Sequence, residues 1–203
     1  MKISKTILIA VMASAFISSN SFAQQKGASS GNCVQQGSVI IDGFYGYPYL
    51  VGAVLKAAVN STPQTSLTVH NFGTAGGKFE YMISDKVGLG VEFTYSNANA
   101  KYQDSINAPI YTAGVKKIRV LGSFNFHFAT TTSIDPYFTI GMGYKNTSYY
   151  DNQPGYGYTW PTLIPVAFRL GVGLHYYFTD FLGINAELGI GGPLMRAGLS
   201  FKF

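Results

Sequence analysis

Two histidines and one aspartate have a spacing that could bring them together in an antiparallel sheet. His127 and Asp135 lie on either side of a short polar connection centred on Thr131, and His175 occupies a matching position in the next alternating segment. Two imidazoles and a carboxylate could bind a metal ion, or act as a base with its orienting partner. Two histidines are an incomplete ligand set and no partnered nucleophile is evident, so we expect a hydrogen-bonded polar cluster with no metal, cofactor or catalytic residue.

Nine further charged residues lie in segments where apolar and polar residues alternate, and all nine occupy the polar positions, which we call the polar parity. They are Asp42, Lys78, Glu80, Glu92, Arg119, Arg169, Glu187, Arg196 and Lys202. If the sheet closes on itself, these side chains are enclosed, and buried charges must pair because an unpaired one is strongly destabilising. The sequence therefore predicts an ion-paired interior that fixes the register of the strands. A proton or ion path is the less favoured interpretation.

The elements that must position these residues have a period of two. In residues 87–95, for example, Val, Leu, Val, Phe and Tyr alternate with Gly, Gly, Glu and Thr. This pattern indicates strands with one apolar and one polar face. Eight such strands are predicted, at about residues 39–49, 67–82, 87–98, 114–129, 134–147, 163–178, 182–190 and 194–203. Most of them reach the roughly 9–11 residues that a tilted strand needs to cross a bilayer.

The connections between the predicted strands alternate in length. Residues 83–86, 130–133 and 179–181 are short, whereas 50–66, 99–113 and 148–162 are long, and only the short connection near 191–193 breaks the trend. Short turns at one end and long loops at the other are typical of outer-membrane barrels. Aromatic residues on the apolar parity crowd the strand ends, as in an interfacial girdle. They are Tyr45, Tyr47, Phe79, Tyr81, Tyr95, Phe128, Tyr176, Phe178 and Phe203.

Composition agrees with a membrane barrel. Charged residues make up 11% of the 203 residues, while Gly (24), Tyr (15) and Phe (15) are abundant. Such a chain is too rich in aromatic residues to be disordered, and after the N-terminus no apolar run reaches the ~18 residues of a spanning helix. We therefore predict an all-β, eight-stranded antiparallel up-and-down transmembrane β-barrel. A soluble lipocalin-like barrel is the alternative, but one small cavity could not hold so many Phe and Tyr side chains.

The N-terminus resembles a secretory signal. Lys2 and Lys5 precede an apolar stretch, and Ser21-Phe22-Ala23 is a suitable cleavage site, so residues 1–23 are predicted to be a signal peptide. Residues 24–37 are polar and rich in Gly and Ser, which predicts a flexible lead-in that contains the single cysteine, Cys33. Residues 38–203 form the predicted barrel. Without the signal, 12 of the 14 basic and all 9 acidic residues remain, and this net +3 argues against nucleic acid as a partner.

Three stretches carry a resemblance to a known family. Residues 76–81 with 84–86 and 88–92, residues 124–128, and the closing Leu199-Ser200-Phe201-Lys202-Phe203 are similar to the small OmpA/OmpX-type outer-membrane barrels, over roughly residues 38–203. The resemblance implies secretion to the periplasm and insertion into the bacterial outer membrane by the assembly machinery, with Phe203 as the assembly signal. Outer-membrane lipid and that machinery are then the expected partners, any surface ligand is unidentified, and a monomer is expected.

For function, we expect a non-enzymatic outer-membrane protein of structural or surface-interaction type with a closed lumen. A passive channel for small solutes is the alternative. A lipid-modifying barrel enzyme is a third possibility, but a deacylase of this kind needs a serine two residues after its histidine. Neither His70, His127 nor His175 has one.

Overall fold

The computed structural model describes residues 31–47, 67–102, 109–152 and 165–203. The predicted signal peptide and the first half of the predicted lead-in lie outside these ranges. Eight strands follow one another in the described part of the chain. They are β1 (Val39–Tyr47), β2 (Leu67–Ser84), β3 (Val87–Tyr102), β4 (Tyr111–His127), β5 (Ile134–Asp151), β6 (Val166–Tyr177), β7 (Leu182–Ile190) and β8 (Met195–Lys202). Within these ranges, no helix has the length and hydropathy needed to cross a membrane.

The strands form one closed barrel. Each strand pairs antiparallel with the next, and β1 also pairs antiparallel with β8, from Ile40↔Lys202 to Tyr47↔Met195. The predicted eight-stranded antiparallel barrel is therefore confirmed. We call the end with the three short connections β2–β3, β4–β5 and β6–β7 the turn end, and the opposite end the loop end. The enclosed interior is the lumen.

Strand length differs around the barrel. Strands β2 to β5 have 16–18 residues, whereas β1 and β6 to β8 have 8–12. Pairing of β3 with β4 continues to Tyr102↔Tyr111, so the predicted loop at 99–113 is too long, as is the predicted loop that begins at 148. Residues such as Asn97, Asn99 and Lys101 lack apolar alternation, which is why the sequence hid this part of the sheet. Four strands thus project beyond the rest at the loop end.

The two faces of the sheet have opposite polarity to those of a soluble barrel. Apolar side chains lie outside and exposed, among them Val91, Ile140 and Leu188, which are 55%, 49% and 59% exposed. Charged and polar side chains are buried in the lumen. Within the described strands, Lys101 and Lys116 are the only charged residues on the outward parity, and both lie in the loop-end extension. An apolar belt around a polar interior is the arrangement of a transmembrane barrel.

The predicted aromatic girdle faces outward. Tyr45 and Tyr47 are exposed near the loop end, and Tyr81, Phe128 and Phe203 are exposed near the turn end. Aromatic side chains of this kind settle at the level of lipid headgroups. The other four predicted girdle residues, Phe79, Tyr95, Tyr176 and Phe178, are exposed or half-buried on the same outward parity.

Glycines on the lumen parity make room for large side chains on neighbouring strands. A Cβ atom built on Gly173 would lie 2.3 Å from Cζ of Tyr137, and one built on Gly88 would overlap the carboxylate of Glu80. An eight-stranded barrel is only just wide enough for its own side chains. These close approaches therefore decide which side chains the lumen can hold.

Candidate functional site

The predicted histidine cluster lies in the lumen near the turn end. His127 Nδ1 is 2.9 Å from both carboxylate oxygens of Asp135, and His175 Nδ1 is 3.0 Å from Asp135 Oδ2. All three side chains are fully buried. The position follows from register, because His127 pairs with Tyr137 across β4–β5 and Asp135 pairs with His175 across β5–β6. The structure thus brings together the three residues that the sequence grouped.

Two further carboxylates extend this cluster into a chain. His127 Nε2 lies 2.8 Å from Glu80 Oε1, and His175 Nε2 lies 3.3 Å from Asp42 Oδ2. Both ring nitrogens of each histidine therefore face carboxylate oxygens, which only accept hydrogen bonds when ionised. Each imidazole is then a cation that donates from both nitrogens, or one of its carboxyl partners holds the proton. Lys78 Nζ, 3.0 Å from Glu80 Oε2, supplies another positive charge.

This arrangement is better suited to hold strands in register than to bind a metal. A histidine that ligates a metal must present one nitrogen without a proton, and here carboxylates occupy both nitrogens of both rings. Among the described residues, no group of three or more His, Cys, Asp or Glu side chains has a geometry that could hold a metal ion. The chain of contacts joins five strands, β1, β2, β4, β5 and β6.

A second cluster of charges fills the middle of the lumen, with Glu187 at its centre. Arg169 contacts Glu187 Oε1 from Nε and Nη2, both at 2.8 Å. Arg196 donates from Nη2 to Glu187 Oε2 at 2.5 Å and from Nη1 to Glu92 Oε2 at 2.6 Å. The hydroxyl of Tyr137 donates to Glu187 Oε2 at 3.0 Å. Two carboxylates and two guanidinium groups thus neutralise one another across β3, β6, β7 and β8.

The remaining two residues of the predicted network lie at opposite ends. Arg119, 3% exposed and nearest the loop end, donates from Nη2 to the Phe168 carbonyl at 2.9 Å. Lys202, at the turn end, donates to the Cys33 carbonyl and lies 4.4 Å above the Tyr177 ring. Each of the three glutamates Glu80, Glu92 and Glu187 contacts a lysine or an arginine of the predicted set.

A short N-terminal segment closes the turn end of the lumen. Residues 31–37 run across the barrel mouth, where the fully buried Val34 packs with Ile40, Met82 and Tyr177. Backbone hydrogen bonds from Cys33 N to Thr131 O and from Gly37 N to Met82 O hold this plug segment at both sides. The plug segment differs from the flexible lead-in predicted for 24–37, because the Val34 side chain packs against an apolar floor formed by Ile40, Met82 and Tyr177. Residues 24–30 lie outside the described residues.

Cys33 belongs to this plug segment rather than to a free tail. It is half-buried beside the apolar floor. Burial, aided by the negative charge of Asp135, raises the pKa of the Cys33 thiol to about 11. A thiol with such a pKa stays protonated at neutral pH and is a poor nucleophile.

Sequence reasoning missed two aromatic residues that organise the lumen. The Tyr137 ring stacks on His175, with ring centroids 4.7 Å apart, and Lys78 Nζ lies 4.5 Å above the same ring. Tyr177 donates or accepts a hydrogen bond with Ser200 at 3.2 Å. Both tyrosines share the polar parity of their strands, and that parity was the signal that could have identified them. Nothing in the sequence singled out Val34.

Comparisons with known proteins give distant likeness only. No protein-family model matches this chain, and a search of curated proteins found no match. Among solved structures, it is similar to the N-terminal β-barrel domain of Pseudomonas aeruginosa OprF, at 19% identity and TM-score 0.48, over 83% of this chain and 99% of that chain. It is also similar to the outer membrane protein OprG from Pseudomonas aeruginosa, at 14% identity and TM-score 0.48, over 84% and 97%. Ail, the attachment invasion locus protein of Yersinia pestis, matches at 14% identity and TM-score 0.45, over 83% and 99%. Likeness at this level indicates no function for this chain.

Proposed function

We propose that this protein is an integral outer-membrane barrel of structural or surface-interaction type, without enzymatic activity and with a closed lumen. The observation that carries the proposal is the content of the lumen. Buried charges pair across it at two levels, around Asp135 and around Glu187, and the plug segment with Val34 covers its turn end. A solute would have to break these contacts in order to pass.

The outer surface supports a location in a membrane. The belt of exposed apolar side chains would be insoluble in water, and transferring it into lipid is favourable by about 25 cal/mol for each Å² of apolar surface. We place the loop end outside the cell and the turn end in the periplasm, as in other barrels with long external loops. The projecting strands β2 to β5 then rise from the outer membrane and supply the surface for an external contact.

The closed lumen is tested by the swelling of vesicles. Liposomes that contain the refolded barrel are transferred into an isotonic solution of a small sugar such as arabinose. We expect swelling no faster than in liposomes without protein, and a general-diffusion porin serves as the positive control. Swelling at a rate comparable to the porin would favour the passive channel instead.

The location and orientation are tested by labelling of single cysteines. In a Cys33→Ala background, Lys101→Cys places a thiol on the exposed loop-end extension and Asp180→Cys places one in the exposed β6–β7 turn. A maleimide that does not cross membranes should label Lys101→Cys in intact cells, and Asp180→Cys only after the cells are opened. The reverse pattern would contradict the proposed orientation.

A further inference from the structure

The outer surface of the barrel changes from apolar to polar at one level near the loop end. The exposed apolar side chains end at Ile118 on β4, which pairs with Tyr95, and at Tyr144 on β5, which pairs with Val120. From Phe128 at the turn end to Ile118, about ten steps of ~3.3 Å on a strand tilted by roughly 40° cover about 25 Å, the height of the apolar band of an outer-membrane barrel. Ile118 therefore marks the outer border of the hydrocarbon.

A row of polar side chains lies directly above this border on the outer face. Lys116 of β4 pairs with Asn97 of β3 and with Ser148 of β5. Lys116 and Ser148 are exposed, and Asn97 is half-buried. Directly paired side chains on one face of a sheet have Cβ atoms about 4.5–5.5 Å apart. An ammonium group, an amide and a hydroxyl group are thus close enough to donate to one anionic group.

An aromatic ring positions the Lys116 ammonium group on the polar side of the border. Tyr150 pairs with Gly114, and a Cβ atom built on Gly114 would lie 2.3 Å from Cζ of Tyr150, so the ring lies across this glycine. Nζ of Lys116 is 5.2 Å from the centroid of the ring. A cation over an aromatic face is stabilised. Because Gly114 is nearer the loop end than Lys116, this contact directs the ammonium group away from the hydrocarbon.

Acidic side chains of the same face do not balance this charge. Within the described strands, Lys101 and Lys116 are the only charged residues on the outward parity. Neither lysine forms an ion pair with another described residue. Lys101 pairs with Thr112, higher on the same face. A positively charged face above an apolar belt is complementary to a lipid with an anionic headgroup.

We propose that this face binds the phosphate of an anionic lipid headgroup in the outer leaflet, whose acyl chains lie against the apolar belt below. Lys116 supplies the charged donor, Asn97 and Ser148 supply neutral donors, and Lys101 adds positive charge above them. Charge-assisted hydrogen bonds to phosphate are about twice as strong as neutral ones. The inference rests on the membrane location and orientation proposed above, and adds to them a defined lipid contact.

The probe is a phosphatidylcholine vesicle with a minor fraction of phosphatidic acid, in which one lipid at a time carries bromine near the headgroup end of its acyl chains. Trp160→Phe removes the single tryptophan, and Tyr144→Trp places a reporter on the exposed border. Bromine quenches tryptophan on contact, so quenching by each lipid in turn gives their relative affinity for this face. We expect phosphatidic acid to be preferred about fivefold, as for one lysine at an anionic lipid surface, and less so at high salt.

Two lysine variants in this background separate the site from general charge effects. Lys116→Gln removes the charged donor and should reduce the preference for phosphatidic acid to less than half. The matched control is Lys145→Gln, which removes the same charge near the same level but from the lumen face, and should keep the preference of the parent. Circular dichroism verifies that both variants fold.

A preference that is lost in Lys116→Gln and kept in Lys145→Gln would support the lipid site. Equal quenching by the two lipids in the parent, an unchanged preference in Lys116→Gln, or an equal loss in both variants would overturn it. These results would leave the membrane location intact, because quenching by either lipid shows that the reporter lies in the bilayer. Absence of quenching by both lipids would contradict the membrane location, and the lipid site with it.

Discussion

Replacement of Glu187 by glutamine should destabilise the barrel severely. Glu187 accepts contacts from Arg169, Arg196 and Tyr137, and its carboxylate is buried. The amide keeps the shape of the side chain but cannot balance the two guanidinium charges. Arg196 keeps its ion pair with Glu92, whereas Arg169 loses its carboxylate partner Glu187 and keeps its hydrogen bond to the Pro193 carbonyl. Breaking a buried pair by removing one partner is destabilising by about 3–5 kcal/mol.

The assay is urea unfolding of the refolded barrel in lipid vesicles, followed by circular dichroism of the sheet. The control is Asp180→Ala, which removes a carboxylate from the exposed β6–β7 turn and should leave the midpoint close to that of the wild type. The double variant Glu187→Gln with Arg169→Gln should recover part of the loss, because it leaves no unpaired guanidinium group at that position. Equal midpoints for Glu187→Gln and Asp180→Ala would mean that the lumen charges are solvated, and would favour the channel.

Three further experiments probe packing in the lumen and in the plug segment. Gly173→Ala places a methyl group against the Tyr137 ring and should lower the free energy of unfolding by about 1–3 kcal/mol. Gly43→Ala is the control and should leave the free energy of unfolding unchanged, because its methyl group meets nothing within 4 Å. Equal unfolding midpoints for the two variants would refute the role given to the lumen glycines. Val34→Asp buries a carboxylate among apolar side chains and should loosen the plug segment, so limited proteolysis should cut this segment faster than in the wild type. Unchanged cleavage would show that Val34 does not anchor the plug segment. At pH 8 Cys33 should react with iodoacetamide on the order of a hundredfold more slowly than a free cysteine peptide, because its raised pKa leaves little thiolate. The reaction rate should rise as the pH approaches 11. A rate at pH 8 equal to that of the peptide would contradict the buried position of Cys33.

Much of the barrel could be predicted because its signal is periodic. Strand β7 was predicted at residues 182–190 and ends at those residues, since both of its faces obey the alternation of apolar belt and polar lumen. The extension of β3 to Tyr102 could not be predicted in this way. Beyond the bilayer neither face has to be apolar, so the alternation that marks a transmembrane strand disappears.

The sequence predicts which side chains face the lumen, but not which of them contact each other across it. Parity assigned His127, Asp135 and His175 to one face, and short turns aligned them. The sequence contains no comparable information on contacts across the barrel, such as Arg196 with Glu92, which are 104 residues apart. Those contacts depend on how the large lumen side chains pack against the glycines of neighbouring strands. The position of Val34 depends likewise on how the chain enters the closed mouth.

The closed lumen is tested most directly by single-channel conductance of the refolded full barrel in a planar lipid bilayer. The two paired layers around Asp135 and Glu187, together with the plug segment at the turn end, predict a silent membrane at moderate voltage, with no steady openings. Insertion is verified in the same preparation by protection of the strands from added protease. Reproducible, long-lived openings of uniform size in the wild-type protein would contradict the closed barrel.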